Sequence, residues 1–177
     1  LDANDALKVL LRETLAAGFL HECGYRGAEP VFDPMCGSGT FVIEAAEIAS
    51  GLYPGRSRHF AFEDFASFKL DIWARMKADM PVHVPEFRFA GADRDSGAVR
   101  MSTANAVRAG VADWCDFVQG AIADAVPPEG PPGLVMINPP YGARIGNKGP
   151  LYGLHANMGE VLRSRFKGWR VGIVTSA

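Results

Sequence analysis

At 177 residues the chain is long enough to bury one sizeable core, and 48% hydrophobic with 21% charged residues is the balance of an ordinary globular domain. A net charge of −2 leaves no broad electrostatic footprint for nucleic acid, and no apolar run approaches the roughly 20 residues that cross a bilayer. Cys23, Cys36 and Cys115 form no CxxC pair and no metal-ligand spacing, which implies reduced thiols in a cytoplasmic protein and no metal centre.

Apolar residues at Leu7, Leu10, Leu11, Leu15 and Phe19 predict a helix over Asp5 to Phe19, broken by Gly24 and Gly27. Val31-Phe32-Asp33 predicts a short strand that runs through Pro34-Met35-Cys36-Gly37-Ser38-Gly39-Thr40 into a helix over Phe41 to Ala49. Residues 50–86 are less regular. A loop at Gly51, Pro54 and Gly55 carries Arg56, Arg58 and His59, and a helix over Phe68 to Met80 follows, with Ile72, Met76 and Met80 on one side and Pro81 and Pro85 beyond its end.

A second strand, Phe87 to Asp93, ends in an acid. Asp95 or Ser96 caps the next helix, which carries Val99, Thr103, Ala106 and Val107 on one face and stops at Gly110. Asp116 to Gln119 and Leu134 to Ile137 are the third and fourth strands. A helix from about Leu151 to Phe166, with Leu154, Met158, Val161, Leu162 and Arg165 near one stripe, leads to a fifth strand, Trp169 to Thr175. Strands alternating with helices predict an α/β domain with a doubly wound, mainly parallel sheet. No signal-peptide pattern opens the chain. Its leucine start suggests an excised fragment or a processed chain, and an apolar last strand, which would leave an adhesive edge, suggests a sheet that continues after Ala177.

The most informative stretch is Asn138-Pro139-Pro140-Tyr141-Gly142, directly after the apolar fourth strand. Ligands of open α/β sheets sit outside the carboxyl ends of strands. Two prolines fix two φ angles and remove two donors, so the carbonyls there are left to accept. An amide oxygen and a backbone carbonyl can hold both hydrogens of a planar NH₂ group, and a tyrosine ring offers a face for a base. The alternative is a proline-rich turn. Arg144 is a candidate phosphate or base contact, or a solvated loop arginine.

The glycine loop allows close backbone approach to a ligand, although a GxG alone also fits a tight strand-to-helix turn. No lysine follows the glycines, which disfavours a phosphate loop, and Val42 stands where a dinucleotide fingerprint needs its third small residue. Asp93 can accept both hydroxyls of a ribose, and its separation from Asp33 makes residues 50–86 an insertion. Cys36 lies at a helix N-terminus with no catalytic partner in view, so packing is its simplest role. Arg163, Arg165, Lys167 and Arg170 read as helix-dipole complements on a solvated face. His21, His59, His83 and His155 show no ligand spacing.

Taken together, Asp33 to Thr40, Asp93 and the Asn138 corner resemble the class I S-adenosylmethionine-dependent methyltransferases, a Rossmann-like fold. Leu11 to Ala17, Asp33 to Ala49, Ala104-Asn105-Ala106, Asn138 to Gly146 and Gly168 to Ser176 further resemble the RNA methylase family that includes the THUMP-associated guanine-N2 methyltransferases of 23S rRNA and tRNA. The resemblance spans nearly all of residues 1–177, with 1–30 as a helical lead-in. It implies S-adenosylmethionine as cofactor, held by Asp33, Pro34, Cys36, Gly37, Ser38, Gly39, Thr40, Asp93, Arg94 and Asn138. It implies catalysis by Asn138, Pro139, Pro140 and Tyr141, and substrate contacts from Tyr141, Gly142 and Arg144.

An RNA partner, no metal, no membrane, and an RNA-capturing THUMP region outside this chain are also implied. Family members place an acid just after the third strand for the adenine amine. Here Ala121 follows Gly120, with Asp124 as the substitute further on. Adenine-N6 methylation of DNA or RNA, glutamine methylation of protein, and a non-catalytic cofactor-binding module are the competing functions.

Overall fold

The computed structural model describes residues 11–140 and 148–175. Five short strands, β1 (Val31–Asp33), β2 (Phe89–Asp93), β3 (Cys115–Gln119), β4 (Leu134–Ile137) and β5 (Arg170–Ile173), form one sheet in the order β3-β2-β1-β4-β5. Every neighbouring pair is parallel. Five α-helices accompany it: α1 (Glu13–Glu22), α2 (Thr40–Ser50), α3 (Leu70–Ala78), α4 (Ser96–Ala109) and α5 (Lys148–Arg165).

The alternation of side chains along each strand divides the core in two. Val31, Leu134 and Met136 face a cluster built with α1, α2 and α4, whereas Phe32, Val135 and Ile137 face one built with α5. This is the doubly wound arrangement the sequence predicts. It explains why β4 reads as an unbroken apolar run, since both its faces are covered. Each of its four side chains gains roughly 1.5–3 kcal/mol by leaving water. Met158 and Val161 of α5 are buried with Phe166 just past its end, and the Phe166 ring stacks on Phe32 at 5.5 Å.

Two details depart from the sequence expectations. Helix α1 runs on to Glu22, and the Asp5, Leu7 and Leu10 end of the predicted helix lies outside the described residues. On α4 the buried residues are Ser102 and Ala106, while Thr103 and Val107 are exposed. Helix α4 packs on a glycine loop, and small side chains fit that close approach better than branched ones.

Candidate active site

Strands β1 and β4 are neighbours in the sheet although two strands separate them in sequence. Between them lies the point where the winding reverses, which opens a crevice at the carboxyl ends of the strands. Three segments end there or beside it: the loop after β1, Asp93 at the end of β2, and Asn138 after β4.

The loop after β1 is held from several sides. Cys36 donates its N–H to the Ala92 carbonyl at 2.9 Å, and Gly39 donates to the Cys36 carbonyl at 2.7 Å. Gly37 donates to Asp93 Oδ2 at 3.0 Å, while Asp95 donates its N–H to Asp93 Oδ1 at 2.9 Å. Asp93 is thus oriented by two backbone donors, and each oxygen keeps a further lone pair for a ligand. Gly37 and Gly39 have φ of 53° and 82°, a region that side chains other than glycine rarely enter.

Their surroundings differ. A Cβ on Gly39 would lie 2.8 Å from Ser102 Cβ and 3.1 Å from the Phe117 ring, whereas one on Gly37 would meet nothing within 4 Å. Gly39 is packed against α4 and β3, and Gly37 faces open space.

Asp33 is 2% exposed, and its Oδ1 accepts the Met35 N–H at 2.9 Å. Burial pushes its carboxyl up to about 8; the Met35 hydrogen bond opposes that shift and the charge of Asp93 adds to it. Pro34 is buried, and Ser38 and Thr40 share a hydroxyl hydrogen bond of 3.0 Å. Cys36 is buried, and burial first, then the charges of Asp33 and Asp93, pushes its thiol well up. Its sulfur is a packing atom, and its N–H and carbonyl both brace the loop. Two acids at the strand ends beside a loop without a lysine favour a cationic ligand with hydroxyls over a phosphate.

At the far side of the crevice Asn138 and Pro140 are half-buried and Pro139 is buried. The Ile137 carbonyl accepts the Val174 N–H at 2.9 Å, which anchors the start of the corner. Tyr141, Gly142 and Arg144 lie outside the described residues.

The exit of β3 is tied to β2 by Gly120 N–H on the Asp93 carbonyl at 3.0 Å and by Gln119 Nε2 on the Arg94 carbonyl at 3.1 Å. Asp124 is exposed on the single turn Ile122–Asp124 that follows. Arg165 of α5 grips that turn, donating to the carbonyls of Ala123 and Ala125 at 2.9 and 3.0 Å. Arg170 likewise binds the Cys23 carbonyl and Glu29. All four residues of the basic cluster are exposed, as expected of a solvated face, and two of them also tie backbone together.

The structure gathers Asp33, Gly37 to Thr40, Asp93 and Asn138 at adjacent strand ends, with Asp124 one strand further out. It adds Ser102 and Phe117, which sequence reasoning passed over, and gives Asn105 and Arg165 backbone partners that the sequence did not foretell. Among them Asn105 carried a signal, the Ala-Asn-Ala triplet late in a helix. Among the described residues no group of three His, Cys, Asp or Glu side chains could hold a metal ion, and no helix is long and apolar enough to cross a membrane.

A family described as the RMKL-like methyltransferase domain matches residues 4–177. The ribosomal RNA large subunit methyltransferase K/L of Vibrio campbellii is 37% identical over 175 residues, which cover 94% of this chain and 25% of the relative. The chain thus spans about a quarter of the length of that relative. A solved structure from Clostridium difficile 630, described as a possible methylase, superposes with a TM-score of 0.85 at 32% identity, over 94% of this chain and 44% of its own. The SMU.472 protein, solved in complex with SAH, gives 0.83 at 30% identity, over 91% and 43%.

Proposed function

The chain belongs to the RMKL-like methyltransferase domain family, and from that premise we propose that it transfers a methyl group from S-adenosylmethionine to an exocyclic amine of a base in RNA. The observation that carries the reading is the convergence at one switch point of an open glycine cradle, an oriented acid and an Asn-Pro corner. The large-subunit rRNA methyltransferases among its relatives favour rRNA as the substrate, with guanine N2 as the acceptor and tRNA as the second candidate.

The cofactor supplies, when bound, a methyl group already activated by its sulfonium. The chain's own residues supply alignment. Ser38 and Thr40 offer backbone N–H groups beside the open space at Gly37, while the N–H groups of Gly37 and Gly39 brace the loop. Asp93 accepts the ribose hydroxyls, with Arg94 beside it, and Asp124 stands in for the acid that would hold the adenine amine. Asp33 complements positive charge.

Asn138 Oδ1 and the Pro139 carbonyl accept the two hydrogens of the target amine. That draws the nitrogen toward a pyramidal geometry and returns its lone pair from the ring. Tyr141 stacks the extruded base, a contact contributing about 1–3 kcal/mol, and Gly142 and Arg144 complete the substrate side. No strong general base is required before attack.

Capture of the folded RNA falls to a THUMP-like region outside these residues, which also resolves the modest charge of the chain. The reaction belongs in the cytoplasm, where rRNA and tRNA are found.

The test is the intact protein with labelled S-adenosylmethionine and total RNA, followed by nucleoside analysis. Label in N2-methylguanosine is expected. N6-methyladenosine, or label in protein, would redirect the corner to a different NH₂ group. Asn138→Ala should retain cofactor binding and slow transfer by about 10²-fold or more; transfer at the wild-type rate would remove Asn138 from the catalytic set.

A further inference from the structure

Helix α4 stands behind the glycine loop and presents Ser102 and Asn105 to it, three residues apart and therefore on one face. Asn105 Nδ2 donates to the Ser38 carbonyl at 2.8 Å, across 67 residues of sequence. The same side chain receives Arg108 at its Oδ1. A guanidinium can only donate, so Oδ1 must be the atom that faces Arg108. The NH₂ end is thereby committed to Ser38.

The peptide between Ser38 and Gly39 is then held at both ends, its carbonyl by Asn105 and its N–H by the Cys36 carbonyl. It runs from Ser38 into Gly39, which has a left-handed φ of 82°, and the freedom of that glycine would otherwise allow the peptide to turn over. Which way it points sets the course of the loop between Gly37, the open position, and Thr40, the first residue of α2.

We propose that Asn105 is a positioning residue for cofactor binding. It acts from behind the loop, without touching the ligand, by fixing the Ser38–Gly39 peptide in the orientation that receives S-adenosylmethionine. The inference rests on the methyl-transfer reading and deepens it. A loop set in advance costs less ordering on binding than one that must be set by the ligand.

Calorimetric titration of S-adenosylmethionine and S-adenosylhomocysteine into the intact wild-type, Asn105→Ala and Asn105→Asp proteins tests the idea, together with KM for the cofactor and kcat on total RNA. Both variants should bind about tenfold more weakly or worse, the size of a lost, partly buried hydrogen bond. KM should rise by the same factor, with kcat at saturating cofactor within about twofold of wild type. Asn105→Asp should be at least as severe as Asn105→Ala, because it turns an acceptor toward a carbonyl. Arg108→Ala, at an exposed position, should weaken binding by a smaller factor, since the donor remains and only its orientation is freed; it carries the test where an Asn105 variant fails to fold.

Affinity and KM within twofold of wild type in the folded variants would overturn the assignment. So would a fall in kcat at unchanged KM. Wild-type protein that binds neither cofactor would instead remove the methyl-transfer reading, and this inference with it.

Discussion

Two glycines in one loop do different work, and the difference is measurable. Gly39 lacks room for a Cβ, with Ser102 at 2.8 Å and the Phe117 ring at 3.1 Å, and its φ of 82° is unfavourable for any side chain. Gly39→Ala should therefore lose about 2–4 kcal/mol in chemical denaturation, the sum of a left-handed penalty and an overpacked contact. Gly37→Ala meets no neighbour and carries only the φ penalty, about 1–2 kcal/mol. Its larger consequence should be on ligand affinity, because the added methyl occupies the space the cofactor would enter. Equal affinity of Gly37→Ala and wild type for S-adenosylhomocysteine would mean that the cofactor does not use that side of the loop.

At the scale of elements, the insertion after α2 is built unlike the rest of the molecule. Helix α3 buries no residue. It is held by aromatic contacts instead: Trp73 meets Phe60 and Phe62 edge-on at 5.9 and 5.2 Å, and Arg58 and Lys77 lie over Phe60 and Trp73. The lobe joins the core through Arg56, which binds Glu47 at 2.7 Å as well as the Ala109 carbonyl, and through His83 N–H on the Ser50 carbonyl at 2.9 Å. Such a unit should open independently of the sheet. Trp73→Ala should speed proteolytic cleavage within residues 61–80 by about tenfold, while the global Tm moves by no more than about 2 °C. Trp73→Phe should be nearly neutral, because the buried indole N–H has no hydrogen-bond partner to lose. A large drop in global Tm for Trp73→Ala would place the lobe inside the main cooperative unit.

The same contrast explains what could be read without coordinates. Strands β1 and β4 were legible because burial on both faces leaves continuous apolar runs ending in chemistry-bearing residues. The face of α4 was misread because Val107 and Thr103 look more like core than Ser102 and Asn105 do. What decides that face is its contact with a loop 67 residues away. Arg165 was likewise opaque, since no local pattern announces that a guanidinium will bind two backbone carbonyls.

For the whole molecule, a net charge of −2 is too small for global repulsion to govern stability. Its pH dependence near neutrality instead follows two carboxyls, the buried Asp33 and the half-buried Glu44. Asp33 is pushed up to about 8, chiefly by burial. Glu44 on α2 is pushed up to about 7 by burial and by the charges of Glu47 and Glu13, with Arg56 opposing. A carboxyl whose pKa is higher folded than unfolded binds its proton more tightly in the native state. Its contribution is complete below the ordinary carboxylate range and is lost as pH rises through 7 to 8.

The Arg88–Asp116 pair acts in the opposite sense, but it is exposed and titrates far below this window, so it does not offset the loss. Wild-type protein should therefore melt at a lower temperature at pH 8.5 than at pH 5, by roughly 5–10 °C for a loss of a few kcal/mol. Asp33→Asn keeps an acceptor for the Met35 N–H and removes the titration, so it should flatten most of that slope, and Glu44→Gln a smaller part. On the proposed reading a cationic cofactor beside Asp33 would favour the ionised carboxylate, so binding near pH 7 should release a proton. Calorimetry in buffers of different ionisation enthalpy would detect that release in wild type and not in Asp33→Asn. Parallel pH–Tm curves for the two proteins, with equal proton release, would show that Asp33 is already ionised in the free protein and that the neutral-pH dependence arises elsewhere.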